Sequence, residues 1–306
     1  MSAIYLSAVC SEHGEPHPLS ELGGEADQLT LPDSGLANYR VSDQEIWEMA
    51  AAVCARSLAG AAGPPDLLVY VSENDRTPAD SLEKILRLLG LGTIGYLAVC
   101  GHGCGNLVPA LRMAKDALHS GRHDRVLLVL ADRASDQDRT MLSGLSILSD
   151  GAVSCLVTRE PEQSASSHFR IGAMTTRTDI VPDSAAPEEP RLLSIIKLAV
   201  AGVVDIAAGA DGELEDVEYL VFGNYRITSQ RFLASAMGFP PERLLLGQVA
   251  ELGHCFSADV LVTLDQNAAS GHFETGDRIL ASATGTRSWS MMLVECVRLP
   301  GSNPLD

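Results

Sequence analysis

The feature that most constrains this chain is an internal match at an offset of 150 residues. Asp66-Leu67-Leu68-Val69-Tyr70-Val71 runs into Asn74, and Asp216-Val217-Glu218-Tyr219-Leu220-Val221 runs into Asn224. Cys104 then falls opposite His254, and Ser120-Gly121 opposite Ser270-Gly271. The last matched pair, Asp124-Arg125-Val126-Leu127 and Asp277-Arg278-Ile279-Leu280, is three residues out of step. Each copy reads strand, helix, Gly-rich turn, helix, strand. A duplicated α/β unit of this kind can bring two equivalent loops together at a pseudo-twofold axis. Here those loops would carry a thiol and an imidazole, a nucleophile and its base. Chance likeness between α/β segments is the plainer explanation, but several features agree at nearly one offset.

The 306 residues suffice for two domains or one large duplicated one, and we place the halves at 1–165 and 166–306. Aromatics make up only 5% against 46% hydrophobic residues, so the core must be aliphatic and Ala-rich. With 22 basic and 40 acidic residues the net charge is −18, which argues against nucleic acid and anionic membrane as bulk partners. There is no apolar run of membrane-spanning length and no basic segment leading into an apolar one at the N-terminus. Seven cysteines without framework spacing fit a reducing compartment, and the cytoplasm is the expected location.

Periodicity and turn signals predict strands at 4–9, 67–71, 96–99, 126–131 and 153–157 in the first half, with helices at 44–58, 80–89 and 107–118. Residues 11–44, rich in Gly, Pro, Ser and acids, read as a long surface excursion. Residues 160–168 and 182–190 read as loops. The second half repeats the scheme, with helices near 191–208, 228–238 and 257–269 and strands at 217–222, 278–283 and 291–298.

Cys104 follows the turn Gly101-His102-Gly103 and precedes an apolar helix. Amides and the dipole at a helix start stabilise a thiolate and can hold an oxyanion. An inert buried thiol is the alternative, and Cys10, Cys54, Cys155 and Cys296 are assigned to it. His254 lies in a second turn leading into a helix, and Asp259 is five residues on, where it could orient the imidazole. Asp259 could equally be a first-turn acid behind an N-cap at Ser257. Cys100, His102, Cys104, His254 and Cys255 could be read as metal ligands, but the spacing is unlike a zinc knuckle, and no metal is expected. No P-loop, dinucleotide fingerprint or G-x-S-x-G motif is present.

Gly103-Cys104-Gly105-Asn106-Leu107-Val108-Pro109-Ala110-Leu111 resembles the Cys-x-Gly-Phe-x-x-Ala-Leu signature of type III β-ketoacyl-acyl-carrier-protein synthases, in the thiolase superfamily. Arg125 to Ala131 followed by Ser135 resembles the strand after the nucleophile helix. Ser149-Asp150-Gly151-Ala152 resembles the family's Gly-Asp-Gly-Ala turn, and Thr284-Gly285-Thr286 followed by Trp289 its glycine-rich oxyanion loop. The resemblance implies an α/β, duplicated five-layer αβαβα fold. It also implies an oxyanion site from the Cys104 and Gly285 amides, contacts from Asn224 and Arg226 to a carrier or its phosphopantetheine arm, and a homodimer paired through strand 96–99.

The departures carry the functional reading. The family's site is Cys, His and Asn. Its histidine belongs to a Pro-His-Gln-Ala-Asn segment, where this chain has Val221-Phe222-Gly223-Asn224-Tyr225-Arg226. Its Gly-Asn turn is here Gly253-His254. His254 with Asp259 is similar to a minority branch of natural-product acyltransferases with a Cys/Ser-His-Asp triad. Decarboxylative condensation needs both of the family's donors, and losing one should cost on the order of 3 kcal/mol of barrier. The expected activity is therefore acyl transfer from a carrier-protein or CoA thioester, through acyl-Cys104, to a hydroxyl, amine or thiol of a small-molecule or carrier-bound acceptor. No cofactor is expected beyond the phosphopantetheine or CoA of the donor. The first half looks shortened around 30–45, where synthases carry a tryptophan against the adenine of coenzyme A. Trp47 has core spacing instead, which favours a carrier-bound donor. A decarboxylating synthase and a non-catalytic carrier-binding protein are the alternatives.

Overall fold

The computed structural model describes residues 3–29, 33–135, 139–141, 144–179, 188–209, 214–285 and 287–299, with the backbone alone at 24–28 and 188–192. The first half runs β1 (Tyr5–His13), β2 (Glu15–Pro18), β3 (Asn38–Val41), α1 (Ile46–Leu58), β4 (Leu67–Val71), α2 (Pro78–Leu88), β5 (Gly95–Val99), α3 (Leu107–His119), β6 (Arg125–Asp132), β7 (Thr140–Met141), β8 (Ser146–Ile147) and β9 (Gly151–Thr158). The second runs β10 (His168–Thr178), α4 (Glu188–Gly209), β11 (Tyr219–Phe222), α5 (Ile227–Ala236), β12 (Leu244–Leu245), α6 (Val249–Leu252), α7 (Asp259–Ala269), β13 (Arg278–Thr284) and β14 (Ser288–Val297).

The main sheet has the order β12-β11-β13-β14-β10-β1-β9-β6-β4-β5. Apart from the two small ribbons β2–β3 and β7–β8, each half contributes five strands, and both halves order them first, fifth, fourth, second, third. The duplication is thus written in the topology. Antiparallel pairing of Tyr5–Ser7 with residues 168–170 joins the two halves edge to edge.

Alternating side chains sort the strands into layers. Val69, Val71, Leu128 and Leu130 point inward onto α3 and α7, which also cover Val221, Ile279, Ala281 and Val294 of the second half. Leu68, Tyr70, Leu127 and Val129 point outward onto Met49, Ala50 and Val53 of α1 and Leu82 and Ile85 of α2. On the far side Leu220, Phe222, Leu280 and Leu293 meet Ala199 and Ile206 of α4 and Leu233 and Ala234 of α5. The result is five layers, αβαβα. Burying each such aliphatic side chain contributes about 1.5–3 kcal/mol.

Several expectations change in detail. Residues 11–44 are not a plain surface excursion. β1 continues to His13, β2 pairs with β3, and Leu19, Leu29, Leu36 and Tyr39 bury against Ile147 and Val249. The polar composition hid widely spaced apolar anchors. The loop expected at 182–190 lies outside the described residues up to 187, and from Glu188 the chain is already α4. Trp47 is partly buried in the α1–α2 layer, with Lys84 Nζ 5.2 Å from the ring centroid. Among the described residues, no helix is long and apolar enough to cross a membrane.

Candidate active site

Two glycine turns converge between the halves. Cys104 sits in a single 3-10 turn, Gly103–Gly105, just before α3. The Asn106 side chain does not cap that helix; its Oδ1 accepts from the His102 amide at 2.9 Å and closes the preceding turn. Pro109 falls in the first turn of α3, where its missing N–H costs nothing. Opposite, His254 is held by its backbone: its amide donates to Ile147 O at 2.8 Å and its carbonyl accepts from Ser149 N at 2.9 Å. Gly253, at φ +59°, must be glycine, because a Cβ there would come within 2.8 Å of Ser149 Oγ and 3.0 Å of Ile147 O. The segment that resembled the family's Gly-Asp-Gly-Ala turn therefore helps fix the imidazole.

His254 Nε2 lies 3.0 Å from Cys104 Sγ. Its Nδ1 donates to Asp259 Oδ2, leaving Nε2 to accept the thiol proton. The Asp259 carboxylate also accepts from Asn224 N at 2.6 Å and Cys255 N at 2.7 Å. All three side chains are buried, with Cys104 5% exposed. Asp259 opens α7, as a first-turn acid would, but its carboxylate faces the histidine. Ser257 is not an N-cap; its hydroxyl donates to Gly103 O at 3.3 Å and ties the two turns together.

The rings of Tyr225 and Phe256 lie 5.2 and 6.0 Å from that of His254. Tyr225 Oη accepts from Thr284 N at 3.1 Å. Phe256 takes a positive φ of 52°, a costly conformation for a bulky residue. Burial first, then the charges of Glu73, Asp132 and Asp259, push the Cys104 thiol well above its ordinary range. The position before the helix start does not offset that burial, and the thiol form of Cys104 is favoured.

Two expected site residues are placed differently. The Gly285 amide donates to Ser288 O at 3.0 Å within the β13–β14 turn, so it is committed to that turn and not turned to an oxyanion. Thr286 lies outside the described residues. Cys104 itself lies within the 3-10 turn Gly103–Gly105, next to the start of α3. Asn224 is buried, and it is its main chain that serves, donating to Asp259. Its side chain packs toward Gly247, away from any entrance role. Arg226, half-buried, heads α5, and its amide donates to Leu145 O at 2.9 Å. Among the described residues no group of three or more His, Cys, Asp or Glu could hold a metal.

Glu73 was not foreseen. Its Oε2 lies 3.6 Å from Cys104 Sγ. It follows β4, in the loop equivalent, at the offset of 150, to the one holding Gly223 and Asn224. The repeat sets this loop against its second copy, where glycine takes the place of Glu73.

A duplicated αβαβα fold with a cysteine on one copy and a histidine against it on the other defines a thiolase-fold protein. The sequence profiles narrow this. Residues 100–179 match 3-oxoacyl-acyl-carrier-protein (ACP) synthase III, and residues 208–296 match the C terminal of the same synthase. The chain belongs to this synthase III-like family. It is 27% identical over 294 residues to β-ketoacyl-acyl-carrier-protein synthase III 3 of Streptomyces coelicolor, covering 85% of this chain and 86% of that one. It is 26% identical over 314 residues to the synthase III of Gloeobacter violaceus, covering 92% and 93%. Among solved structures it resembles the acyltransferase ChlB3 (TM-score 0.81, 21% identity, 98% and 99% covered). It also resembles 3-oxoacyl-acyl-carrier-protein synthase III from Aquifex aeolicus (TM-score 0.78, 17% identity, 95% and 99% covered). At these identities the structural likeness speaks for the fold.

Proposed function

We propose that this protein is an acyltransferase that moves an acyl group from a carrier-protein or CoA thioester, through acyl-Cys104, to a hydroxyl, amine or thiol acceptor in natural-product biosynthesis. The observation that carries the reading is the continuous chain from Cys104 Sγ through the His254 ring to Asp259. His254 takes the thiol proton as Cys104 attacks the thioester carbonyl, and the Cys104 amide receives the developing oxyanion. His254 then returns that proton to the departing pantetheine thiol. In the second half-reaction His254 deprotonates the acceptor, which attacks acyl-Cys104, and the proton passes back to the released thiolate. Asp259 holds the tautomer and stabilises the imidazolium in both halves.

Transfer is favoured over condensation because one imidazole, with no second histidine between Phe222 and Arg226, serves Cys104. ChlB3, an acyltransferase of the same fold, agrees with this reading. Incubation with a panel of acyl-carrier thioesters should add one acyl mass to the peptide holding Cys104, and label persisting in Cys104→Ala would refute the assignment. Carbon dioxide release and carbon–carbon bond formation from a malonyl thioester would favour the condensing synthase. A failure of every donor to load would favour a carrier-binding protein without catalysis.

A further inference from the structure

The nucleophile has a second polar neighbour that the transfer chemistry does not use. Cys104 Sγ meets His254 Nε2 at 3.0 Å and Glu73 Oε2 at 3.6 Å. One thiol has one proton, and His254 is the partner that advances the reaction. A carboxylate at the same sulfur opposes thiolate formation and so needs another reason to be there.

Glu73 is held in place by design of the surrounding loop. Asp132 Oδ1, buried at the end of β6, accepts from Ser72 Oγ at 2.9 Å, Glu73 N at 2.8 Å and Asn74 N at 2.9 Å. That clamp fixes the Glu73 backbone. The turn opposite makes room for the side chain. Gly103 sits at φ +56°, and a Cβ there would lie 3.4 Å from Glu73 Oε1 and 3.1 Å from Gly285 Cα. Glu73 as a whole is exposed, while partial desolvation of its carboxyl group raises its pKa.

The other two carboxylates near Cys104 are neutralised or engaged. Asp259 is bound to His254 and two amides, and Asp132 to three donors. The Glu73 carboxyl lies 3.6 Å from the sulfur, so it faces whatever is delivered there.

We propose that Glu73 is a specificity-determining residue, an electrostatic filter that admits uncharged acyl groups to Cys104 and rejects acyl groups bearing a carboxylate close to the thioester. In a malonyl thioester the carboxylate lies two bonds from the carbonyl carbon. Once that carbon reaches Sγ, the like charges cannot be kept apart. The inference rests on Cys104 being the acyl-accepting nucleophile. It also gives a reason for a site that transfers without decarboxylating: the extender unit of a condensation is turned away before it can react.

The test uses a matched pair of thiol reagents, so that it does not depend on finding the donor. Iodoacetamide and iodoacetate form the same sulfur–carbon bond and release iodide; they differ by one negative charge. Their rate ratio at Cys104 cancels the thiolate content. Glu73→Gln should lower the preference for iodoacetamide by about tenfold, the size expected for one like charge at a partly solvated site. Glu73→Ala should do the same, and Glu73→Asp should keep the preference. Tandem mass spectrometry must separate Cys104 from the exposed Cys100 on the same tryptic peptide, and the ratio at Cys100 should stay unchanged. An unaltered ratio at Cys104 in a folded Glu73→Gln overturns the inference. As a second arm, butyryl and malonyl pantetheine thioesters are compared for loading: wild type should take butyryl, and Glu73→Gln should take both. Equal loading of the two by wild type also overturns the filter. If neither loads, the acyltransferase reading falls, and the alkylation ratio still decides the role of Glu73.

Discussion

Cys104 and His254 stand 150 residues apart in the chain and 3.0 Å apart in space, each at the same place in its own copy of the repeat. The imidazole therefore reaches the thiol from the other half of the molecule. His254→Ala should lower turnover by about a hundred- to ten-thousand-fold, the range for a lost general base. Single-turnover measurements would place the loss in acylation, transfer or both. An unchanged rate would remove His254 from the mechanism.

Asp259 ties the imidazole to the main chain of two neighbouring segments. In Asp259→Asn at most one oxygen remains for His254 Nδ1, Asn224 N and Cys255 N, and an amide NH2 must face a donor. Turnover should fall, and stability should fall by about 1–3 kcal/mol. Urea unfolding beside steady-state kinetics would separate the two. A loss of stability alone would reduce the site to a Cys-His dyad.

Asp132 gives a pH signature that does not involve turnover. Desolvation pushes its carboxyl up to about 7, against hydrogen bonds from Asn74, Ser72 and Glu73 that favour the charged form. The folded state thus holds this proton to higher pH than the unfolded chain does. Between about pH 4 and pH 7 the unfolded state ionises first, so the stability this group contributes at low pH is lost as pH rises through 7. Asp132→Asn removes that dependence. Its stability relative to wild type should rise by about 1–4 kcal/mol from pH 4 to pH 8 in denaturant titrations. A constant difference would contradict the upward shift.

Arg226 heads α5 in a protein of net charge −18 that is proposed to receive an acidic carrier. Arg226→Glu should raise the KM for a carrier-bound donor far more than for a small thioester mimic. Equal effects on both would count against a carrier contact.

β5 is an edge strand with Tyr96 55% and Leu97 38% exposed. An uncovered apolar edge of this kind pairs readily with a second copy. Light scattering at micromolar concentration should give twice 32.4 kDa, and a mass of one chain would refute the dimer.

Local signals carried much of this fold. The continuous aliphatic runs at 67–71 and 126–131 mark strands covered on both faces, and the spacing of Leu107, Ala110, Leu111, Ala114 and Leu118 marks the buried face of α3. The repeat placed the thiol and the imidazole in equivalent turns. What the sequence withheld depended on partners far along the chain. Nothing local says that the Gly285 amide is spent on Ser288, that Asn224 works through its main chain, or that Glu73 turns toward a cysteine 31 residues on. The apolar anchors of residues 11–44 are too sparse to register as a periodicity, and their core forms only when Ile147 and Val249 arrive from elsewhere.

The matching strand order of the two halves has a consequence for how such a site can arise. Two identical single-copy chains meeting at the same axis would set cysteine against cysteine or histidine against histidine, and neither pairing supplies a proton donor and an acceptor of different character. Joining the copies in one polypeptide breaks that symmetry. Positions 104 and 254 become free to vary separately, and so do Glu73 and its counterpart Gly223. The chemistry of this protein is made from the differences between its halves, while their sameness holds those differences in register.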